Sequence, residues 1–315
     1  MKTPKHWQDK NLLARVLYPL GCLYAFGTWA RIKLKKPNKV DIPVICIGNL
    51  TAGGSGKTPT AVSIARILKQ AGKNPFFVSR GYGGKLFDVL VDPKKHSPHE
   101  VGDEPLLLAR EAPVVVNYKR YDAACKAIGN GADTIIMDDG FQNPALHKDK
   151  SFLVIDGNVG MGNLMPIPAG PMREFLHDGL KRAQAVILLG EDKTNILPKL
   201  GNLPVFKGNV VEVKPETSNK VVIAFAGIGR PQKFYQSLEK CDLNPIKTID
   251  FPDHHFYTRS ELQSIIDEAS KLGADIYTTA KDMVKIPYDL REKFKVLEID
   301  IKWKNEELLK DFLLS

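Results

Sequence analysis

The stretch from residue 45 to 60, ICIGNLTAGGSGKTPT, most constrains what this chain can fold into. A β-branched run over residues 43–47 precedes the glycines at positions 53, 54 and 56, and a helical pattern follows over residues 61–68. A strand, a glycine-rich loop and a helix in this order are the setting in which backbone N–H groups and a helix N-terminus surround phosphate oxygens. The sequence therefore predicts a nucleoside triphosphate site in an α/β fold.

The residues of this loop have separate predicted roles. The predicted nucleotide-binding residues are Thr51, Ala52, Gly53, Gly54, Ser55, Gly56, Lys57 and Thr58. Lys57 is expected to reach the β- and γ-phosphates, and the Thr58 hydroxyl is expected to bind Mg²⁺. The strict pattern GxxxxGK[ST] requires glycine at position 51, where this chain has Thr51. A chance glycine turn is the alternative, and the flanking strand and helix favour the phosphate loop.

Composition limits the class of protein. The chain has 315 residues, of which 43% are hydrophobic and 26% charged, as expected of a folded protein long enough for two domains. Its four cysteines form no CxxC pair, so neither a zinc site nor a disulfide framework is indicated. A net charge of +9 favours an anionic partner, and nucleic acid, anionic lipid and phosphorylated substrates all qualify.

Residues 1–36 hold eight Lys or Arg residues against one acid, and the apolar run Val16 to Ala30 lies among them. The run is shorter than the roughly 20 residues that span a bilayer as a helix, and Pro19 and Gly21 are expected to disturb the helix near its start. The basic RIKLKK that follows argues against a cleaved signal peptide. The pattern favours a helix that associates with anionic membrane lipids, and a helix packed on the protein core is the alternative.

Short apolar runs continue after the loop and alternate with helical or glycine-marked segments, one of them a helix ending near Arg110. This alternation predicts a parallel sheet flanked by helices. The predicted strands are Pro75–Val78, Phe87–Val91, Pro113–Val116, Thr134–Met137, Ser151–Ile155 and Ala185–Leu189. The string SRGYGG follows the first of them, at the strand end where ligands collect in such sheets.

Asp138 and Asp139 directly follow the strand predicted over residues 134–137. A carboxylate at the end of an apolar strand, downstream of a phosphate loop, is the usual position of the acid that holds Mg²⁺ in these folds. Two adjacent aspartates cannot both be buried without a cation or hydrogen-bond donors beside them. The pair is therefore predicted as a metal site, with the direct ligand left open and a solvated turn as the alternative.

A polar stretch at residues 215–220, PETSNK, is predicted as a linker to a smaller C-terminal α/β domain. The predicted division is an N-terminal helix over 1–36, a core domain over 37–214 and the second domain over 215–315. The second βα series comprises strands over 221–226, 246–251, 275–279 and 296–301, with helices over 231–240 and 260–272. His254 follows the second of these strands, and one positioned histidine is favoured over a metal pair with His255. A histidine that only caps the following helix is the alternative.

Six strings in order carry a resemblance over nearly the whole chain: GNLTAGGSGKTP, SRGYGG, VGDEP, DDGFQ, PAGPMREF and FPDHHF. Together they resemble the tetraacyldisaccharide 4'-kinases, the lipid A 4'-kinases of Gram-negative bacteria, whose core is a P-loop NTPase-type sheet. The resemblance implies transfer of the ATP γ-phosphoryl group to the 4'-hydroxyl of a tetraacylated glucosamine disaccharide 1-phosphate, with ATP and Mg²⁺ as cofactors. In that family the loop also begins with a non-glycine residue, which accounts for Thr51, and Met172 replaces a more usual leucine.

The resemblance also implies the roles of individual residues. Lys57 and the loop amides hold the phosphates, while Thr58, Asp138 and the nearby Asp139 hold Mg²⁺. Asp103 and His254 match the pair that accepts the proton of the sugar hydroxyl, although Asp103 in its GDEP turn is also a candidate helix cap. Arg173 and Glu174 match a charged pair assigned to phosphate or substrate contacts.

The implied partners are the acylated disaccharide phosphate and the cytoplasmic face of the bacterial inner membrane, to which the protein is peripheral or singly anchored. Nucleic acid is not expected, because the basic charge lies beside an apolar aromatic run. No obligatory protein partner is inferred. A regulatory GTPase and an ATP-dependent ligase are the competing classes. The GTPase guanine motif [NT]KxD is absent in register, since residues 279–282 read TAKD.

Overall fold

Two sheets organise the fold of the computed structural model, which describes residues 4–215 and 221–315. Their β-branched runs form short strands, most of which are buried on both faces, as is usual for parallel sheets between helices. In chain order the strands are Val44–Gly48 (β1), Pro75–Ser79 (β2), Val89–Leu90 (β3), Val114–Val116 (β4), Thr134–Asp138 (β5), Lys150–Asp156 (β6), Ala185–Leu189 (β7), Val205–Glu212 (β8), Val222–Ala226 (β9), Pro245–Asp250 (β10), Asp275–Thr279 (β11), Lys295–Leu297 (β12) and Ile299–Trp303 (β13).

The larger sheet has the order β13-β8-β7-β6-β1-β5-β2-β4-β3 within the described part of the chain. Its pairs are parallel except at the two edges, where β13 meets β8 and β3 meets β4 in antiparallel pairs. The carboxyl ends of β1, β5, β2 and β4 therefore meet at one edge of the sheet, where polar loops collect. The predicted α/β class with a parallel-dominated sheet is confirmed, and β8 is a strand that the sequence patterns did not predict.

The helices are Leu12–Leu34 (α1), Lys57–Gln70 (α2), Pro98–Val101 (α3), Asp103–Leu108 (α4), Arg120–Gly129 (α5), Leu176–Leu180 (α6), Pro231–Lys240 (α7), Arg259–Leu272 (α8), Ala280–Met283 (α9) and Glu306–Leu314 (α10). They cover both faces of the larger sheet and enclose two apolar clusters, one against each face. Helix α2 lies on the first face together with α10. The apolar side of the phosphate-loop helix is thus buried in the core.

The smaller sheet has the parallel order β10-β9-β11-β12, and apolar clusters again cover both faces. The prediction of a single strand over residues 296–301 is wrong, because this segment forms two strands in different sheets. Residues 295–297 join the smaller sheet, whereas residues 299–303 return to the larger one and pair with β8. Trp303 fixes strand β13 to the larger unit, since its indole N–H donates to the Ser63 hydroxyl of α2 over 2.9 Å.

The division into residues 37–214 and 215–315 stays a prediction. Of the predicted linker, residues 216–220 lie outside the described residues. The structure places β9 to β12 together in the smaller sheet and carries the last strand and helix back to the larger one.

Helix α1 runs without a break through Pro19 and Gly21, so the expectation that these residues disturb it is wrong. Tertiary packing holds it, because its buried side chains are small and allow close approach: Ala14, Gly21, Ala25 and Thr28. A Cβ atom on Gly21 would lie 2.8 Å from the carbonyl oxygen of Pro166. Among residues 4–215 and 221–315, no helix combines the length and the apolar character needed to cross a membrane.

Candidate active site

The phosphate loop connects β1 to α2 in a conformation that requires glycine. Gly56 has φ +87°, and a Cβ atom there would lie 2.4 Å from Cδ1 of Leu189. The Asn49 side-chain amide braces the loop from inside, since it donates to the Ser55 hydroxyl over 3.0 Å. Helix α2 then begins at Lys57, so the loop ends at a helix N-terminus, as the sequence predicts.

Residues 171–173 lie alongside the first half of the loop. The N–H of Ala52 donates to the Pro171 carbonyl over 2.8 Å, and the N–H of Arg173 donates to the Leu50 carbonyl over 2.7 Å. In the part of the chain that the structure describes, the backbone N–H groups of Gly53 and Gly54 donate to no protein acceptor. The first half of the loop is thus hydrogen-bonded to residues 171–173, and the N–H groups of the second half remain available to an anion.

Asp138 lies at the carboxyl end of β5 and is buried beside the start of α2. Its Oδ2 accepts a hydrogen bond from the Thr58 hydroxyl over 2.9 Å. Burial, together with the charges of Glu104 and Asp139, raises the pKa of Asp138 to about 7. The structure therefore brings together Thr58 and Asp138, which are 80 residues apart in the chain.

Asp139 is turned toward cations rather than toward Thr58. It has φ +49°, its Oδ1 lies 3.8 Å from the Lys57 ammonium, and it accepts two hydrogen bonds from the Arg173 guanidinium, at 2.9 and 3.3 Å. Burial opposes ionisation of Asp139, but Lys57 and Arg173 outweigh it and hold the pKa of this carboxyl below its usual range. Asp139 is thus a charged acceptor between the loop lysine and the predicted substrate arginine.

Thr58 and Asp138 fit a magnesium ion whose remaining ligands come from nucleotide and water. Among the described residues none donates a hydrogen bond to the buried Oδ1 of Asp138, which leaves one carboxylate oxygen for a cation. The same residues contain no cluster of three or more His, Cys, Asp or Glu side chains that forms a metal cage. Mg²⁺ commonly takes one or two carboxylates together with phosphate oxygens and waters, which is the set available here.

Asp103 and His254 meet across the two sheets, although 151 residues separate them in the chain. His254 Nδ1 lies 2.9 Å from Asp103 Oδ2, and the Asp103 side chain is 6% exposed. The residue that caps α4 is Gly102, while the Oδ1 of Asp103 accepts from the N–H of Glu104 over 3.0 Å. Asp103 thus holds its helix start with one oxygen and His254 with the other.

The tetraacyldisaccharide-1-P 4'-kinase (LpxK) family model matches residues 13–315. The chain belongs to this family. The resemblance drawn from the six strings is confirmed, and the family is one of kinases.

Relatives in the family match over nearly their whole length. The tetraacyldisaccharide 4'-kinase of Rhodospirillum rubrum is 44% identical over 311 residues, which cover 96% of this chain and 93% of that protein. That of Gluconobacter oxydans is 41% identical over 325 residues, covering 100% of this chain and 98% of its own. The crystal structure of LpxK from Aquifex aeolicus in complex with ATP is 29% identical, with a TM-score of 0.77 over 96% of this chain and 99% of that chain.

Glu174 of this LpxK family member contacts Arg182 and Gln142. Its side chain is 3% exposed, forms an ion pair with Arg182, and accepts from the Gln142 side-chain amide over 3.0 Å. Gln142 in turn accepts from Arg173 over 3.3 Å. Arg173 therefore lies at the predicted site, whereas Glu174 reaches it through Gln142, and the roles assigned to both stay predictions.

Three charged residues near this site were not predicted from the sequence. Glu104 is partly buried beside Asp103, Lys281 contacts His254, and Arg120 is buried at the start of α5. Burial, reinforced by the charge of Arg80, lowers the pKa of Arg120 to about 10. Glu104 adjoins a residue already singled out and Arg120 follows a predicted strand end, so both carried a local signal, whereas Lys281 was noted only for the guanine motif that it fails to match.

Proposed function

We propose that this chain transfers the γ-phosphoryl group of ATP to the 4'-hydroxyl of a tetraacylated glucosamine disaccharide 1-phosphate. Family membership supports the reaction class. The observation that carries the proposal is the Asp103–His254 pair. Its neighbour in the chain, Glu104, is close enough to Asp138 at the phosphate loop for its charge to raise the pKa of that carboxyl. A proton acceptor and a phosphate site next to one another are the two parts that a sugar kinase needs.

Phosphoryl transfer to an alcohol depends mainly on positioning and on neutralising charge. Lys57 and the loop N–H groups bind the phosphates, and Arg173, held by Asp139, lies beside them. Thr58 and Asp138, with Asp139 nearby, would hold Mg²⁺, which reduces the charge of the β- and γ-phosphates when bound. Asp103 accepts the proton of the attacking hydroxyl, and His254 orients the carboxylate.

Incubation with γ-labelled ATP and extracted acylated disaccharide phosphate, followed by lipid chromatography, tests the proposal. We expect label in the lipid fraction, at an ester stable to hydroxylamine, with ATP preferred over GTP. The matched control replaces the lipid by the same disaccharide phosphate without its acyl chains. Label in a hydroxylamine-sensitive acyl phosphate would assign the chain to the ligases, and hydrolysis of GTP without transfer would assign it to the GTPases.

Helix α1 supports association with a membrane surface. Its large apolar side chains point outward, among them Leu23, Phe26 and Trp29, which are 68%, 60% and 42% exposed. Arg31, near the end of the helix, donates to the carbonyl oxygen of Gln142 over 3.4 Å, which brings the exposed apolar face close to the loop after Asp139. We infer a peripheral or singly anchored enzyme on the cytoplasmic face of the inner membrane, with its active site next to the lipid.

Replacing Leu23 and Phe26 together by glutamate is expected to weaken binding to anionic vesicles at least about tenfold, because two apolar side chains lose their burial in lipid. The apparent KM for the lipid should rise while the KM for ATP stays unchanged. Vesicle sedimentation and steady-state kinetics measure both. The control is Leu272→Glu, an exposed leucine on α8. Unchanged vesicle binding in the double variant would rule out this face as the membrane contact.

A further inference from the structure

Lys281 lies against the Asp103–His254 pair from the smaller sheet. It is the second residue of α9, and its ammonium lies 3.1 Å from Nε2 of His254 and 3.9 Å from Oδ2 of Asp103. A third neighbour, Asp253, has its Oδ1 3.6 Å from the same ammonium. One cation thus touches the imidazole and two carboxylates at once.

The hydrogen-bonding capacity of lysine decides where the imidazole proton lies. A lysine ammonium has three donors and no acceptor, so the Nε2 of His254 must accept from it. The remaining ring nitrogen, Nδ1, then carries the hydrogen and donates to Asp103 Oδ2 over 2.9 Å. A second proton can therefore reach Nε2 only if the Lys281 ammonium moves away from it.

A buried ion pair between Asp282 and Lys285 holds both His254 and Lys281 in place. Asp282 and Lys285 are fully buried and lie 2.6 Å apart, and Asp282 Oδ2 accepts from the Thr279 hydroxyl over 2.7 Å at the start of α9. Asp282 also accepts from the N–H of Gly227, and the Gly227 carbonyl accepts from the N–H of His254 over 3.2 Å. The backbone of His254 and the helix that carries Lys281 are thus fixed to the same anchor.

The groups around the pair shift the pKa values of His254 and Asp103 in both directions. The pKa of His254 is raised overall, because the hydrogen bond to Asp103, together with the charges of Asp103 and Asp253, outweighs burial and Lys281, which lower it. Burial opposes ionisation of Asp103, but His254, Lys281 and Lys285 outweigh it and hold its pKa below its usual range. Glu104 adjoins Asp103 in the chain, and the Tyr82 ring lies edge-on to His254 at 6.3 Å.

We propose that Lys281 is the positioning residue of this pair: it holds the neutral His254 in the Nδ1–H form and opposes the addition of a further proton to the imidazole or to the carboxylate. Asp103 then stays an unprotonated acceptor at neutral pH. The proton arrangement follows from the contacts alone, whereas its consequence for turnover rests on the proposed kinase function.

The first test reads the proton directly in the full chain. Nitrogen-15 NMR of the seven histidines, with His254 assigned through His254→Gln, reports which ring nitrogen is protonated. Above the titration midpoint of His254, we expect the wild-type protein to show Nδ1–H and an unprotonated Nε2. In Lys281→Met the titration midpoint of His254 should rise by about one pH unit, a tenfold gain in proton affinity. Lys281→Arg, which keeps the charge, should stay near wild type.

The second test follows the acidic limb of kcat/KM in the same variants. Loss of Lys281 should move this limb to higher pH by about one unit and lower kcat near neutral pH about tenfold, with partial recovery in alkaline buffer. Lys271→Met, on the exposed end of α8, is the control and should match wild type. Equal thermal midpoints of unfolding keep the comparison valid, and Lys281→Gln, which also removes the charge, takes the place of Lys281→Met if that variant folds poorly.

The outcomes separate the two proposals. An unchanged NMR midpoint in Lys281→Met overturns the assignment of Lys281. A midpoint that moves while the acidic limb stays in place overturns its role in turnover. If wild-type protein transfers no phosphate to lipid, the proposed function fails, and the NMR titration still decides how Lys281 acts on the pair.

Discussion

Asp138→Ala and Lys57→Ala are each expected to lower kcat by about two to three orders of magnitude and to leave the fold intact. Both side chains act on charge that develops as the phosphoryl group transfers, and removal of one such group typically costs this much. Asp138 binds the Thr58 hydroxyl with one oxygen and leaves the other for a cation, while Lys57 is 12% exposed at the start of α2. Kinase assays at saturating ATP and lipid measure the loss.

Thermal unfolding of the nucleotide-free variants separates a catalytic defect from a folding defect. A buried carboxyl with an unpartnered oxygen stabilises the fold little, so Asp138→Ala should melt no lower than wild type. Asp122→Ala, an exposed aspartate on α5, is the control for loss of a carboxylate. Turnover at the wild-type level in either variant would contradict the nucleotide-site assignment.

Asp103→Ala and His254→Ala are each expected to lower kcat by about two to four orders of magnitude, and the double variant should lose little more than the worse single one. The reason is the hydrogen bond between the two side chains: once Asp103 is gone, His254 has no carboxylate to orient. The measurement is a double-mutant cycle on kcat. Strong coupling means that the activation free energy lost in the double variant is well below the sum of the two single losses.

Asp103→Asn distinguishes a proton acceptor from a helix-start residue. The amide oxygen of asparagine still accepts from the N–H of Glu104, so the start of α4 should be kept while turnover is lost. His255→Gln is the matched control for the second position, because His255 bonds Glu261 at 3.1 Å instead of Asp103. Single losses that simply multiply, or a fall in melting temperature that accounts for the Asp103→Ala defect, would leave the proton acceptor unidentified.

Features that depend on neighbouring residues were predictable from the sequence. The phosphate loop was one of them, because its strand, glycines and helix start lie within residues 44–70 and follow from backbone conformation. Asp138 was another, since a strand end in a parallel sheet places its next residue at the ligand edge. The helix starts and strands of the second βα series agree with the structure to within one or two residues, apart from the division at 296–301.

Contacts between distant segments were decided only by the tertiary structure. His254 and Lys281 come from the smaller sheet and meet Asp103 of the larger one, and no spacing in the chain encodes a distance between two sheets. The same holds for β13, whose antiparallel partner β8 lies far upstream. The sequence by itself determined the phosphate loop and its acid, because local backbone geometry governs both. The family resemblance had implied the pairing of Asp103 with His254, whereas only packing decided which lysine contacts that pair and which side of α1 stays exposed.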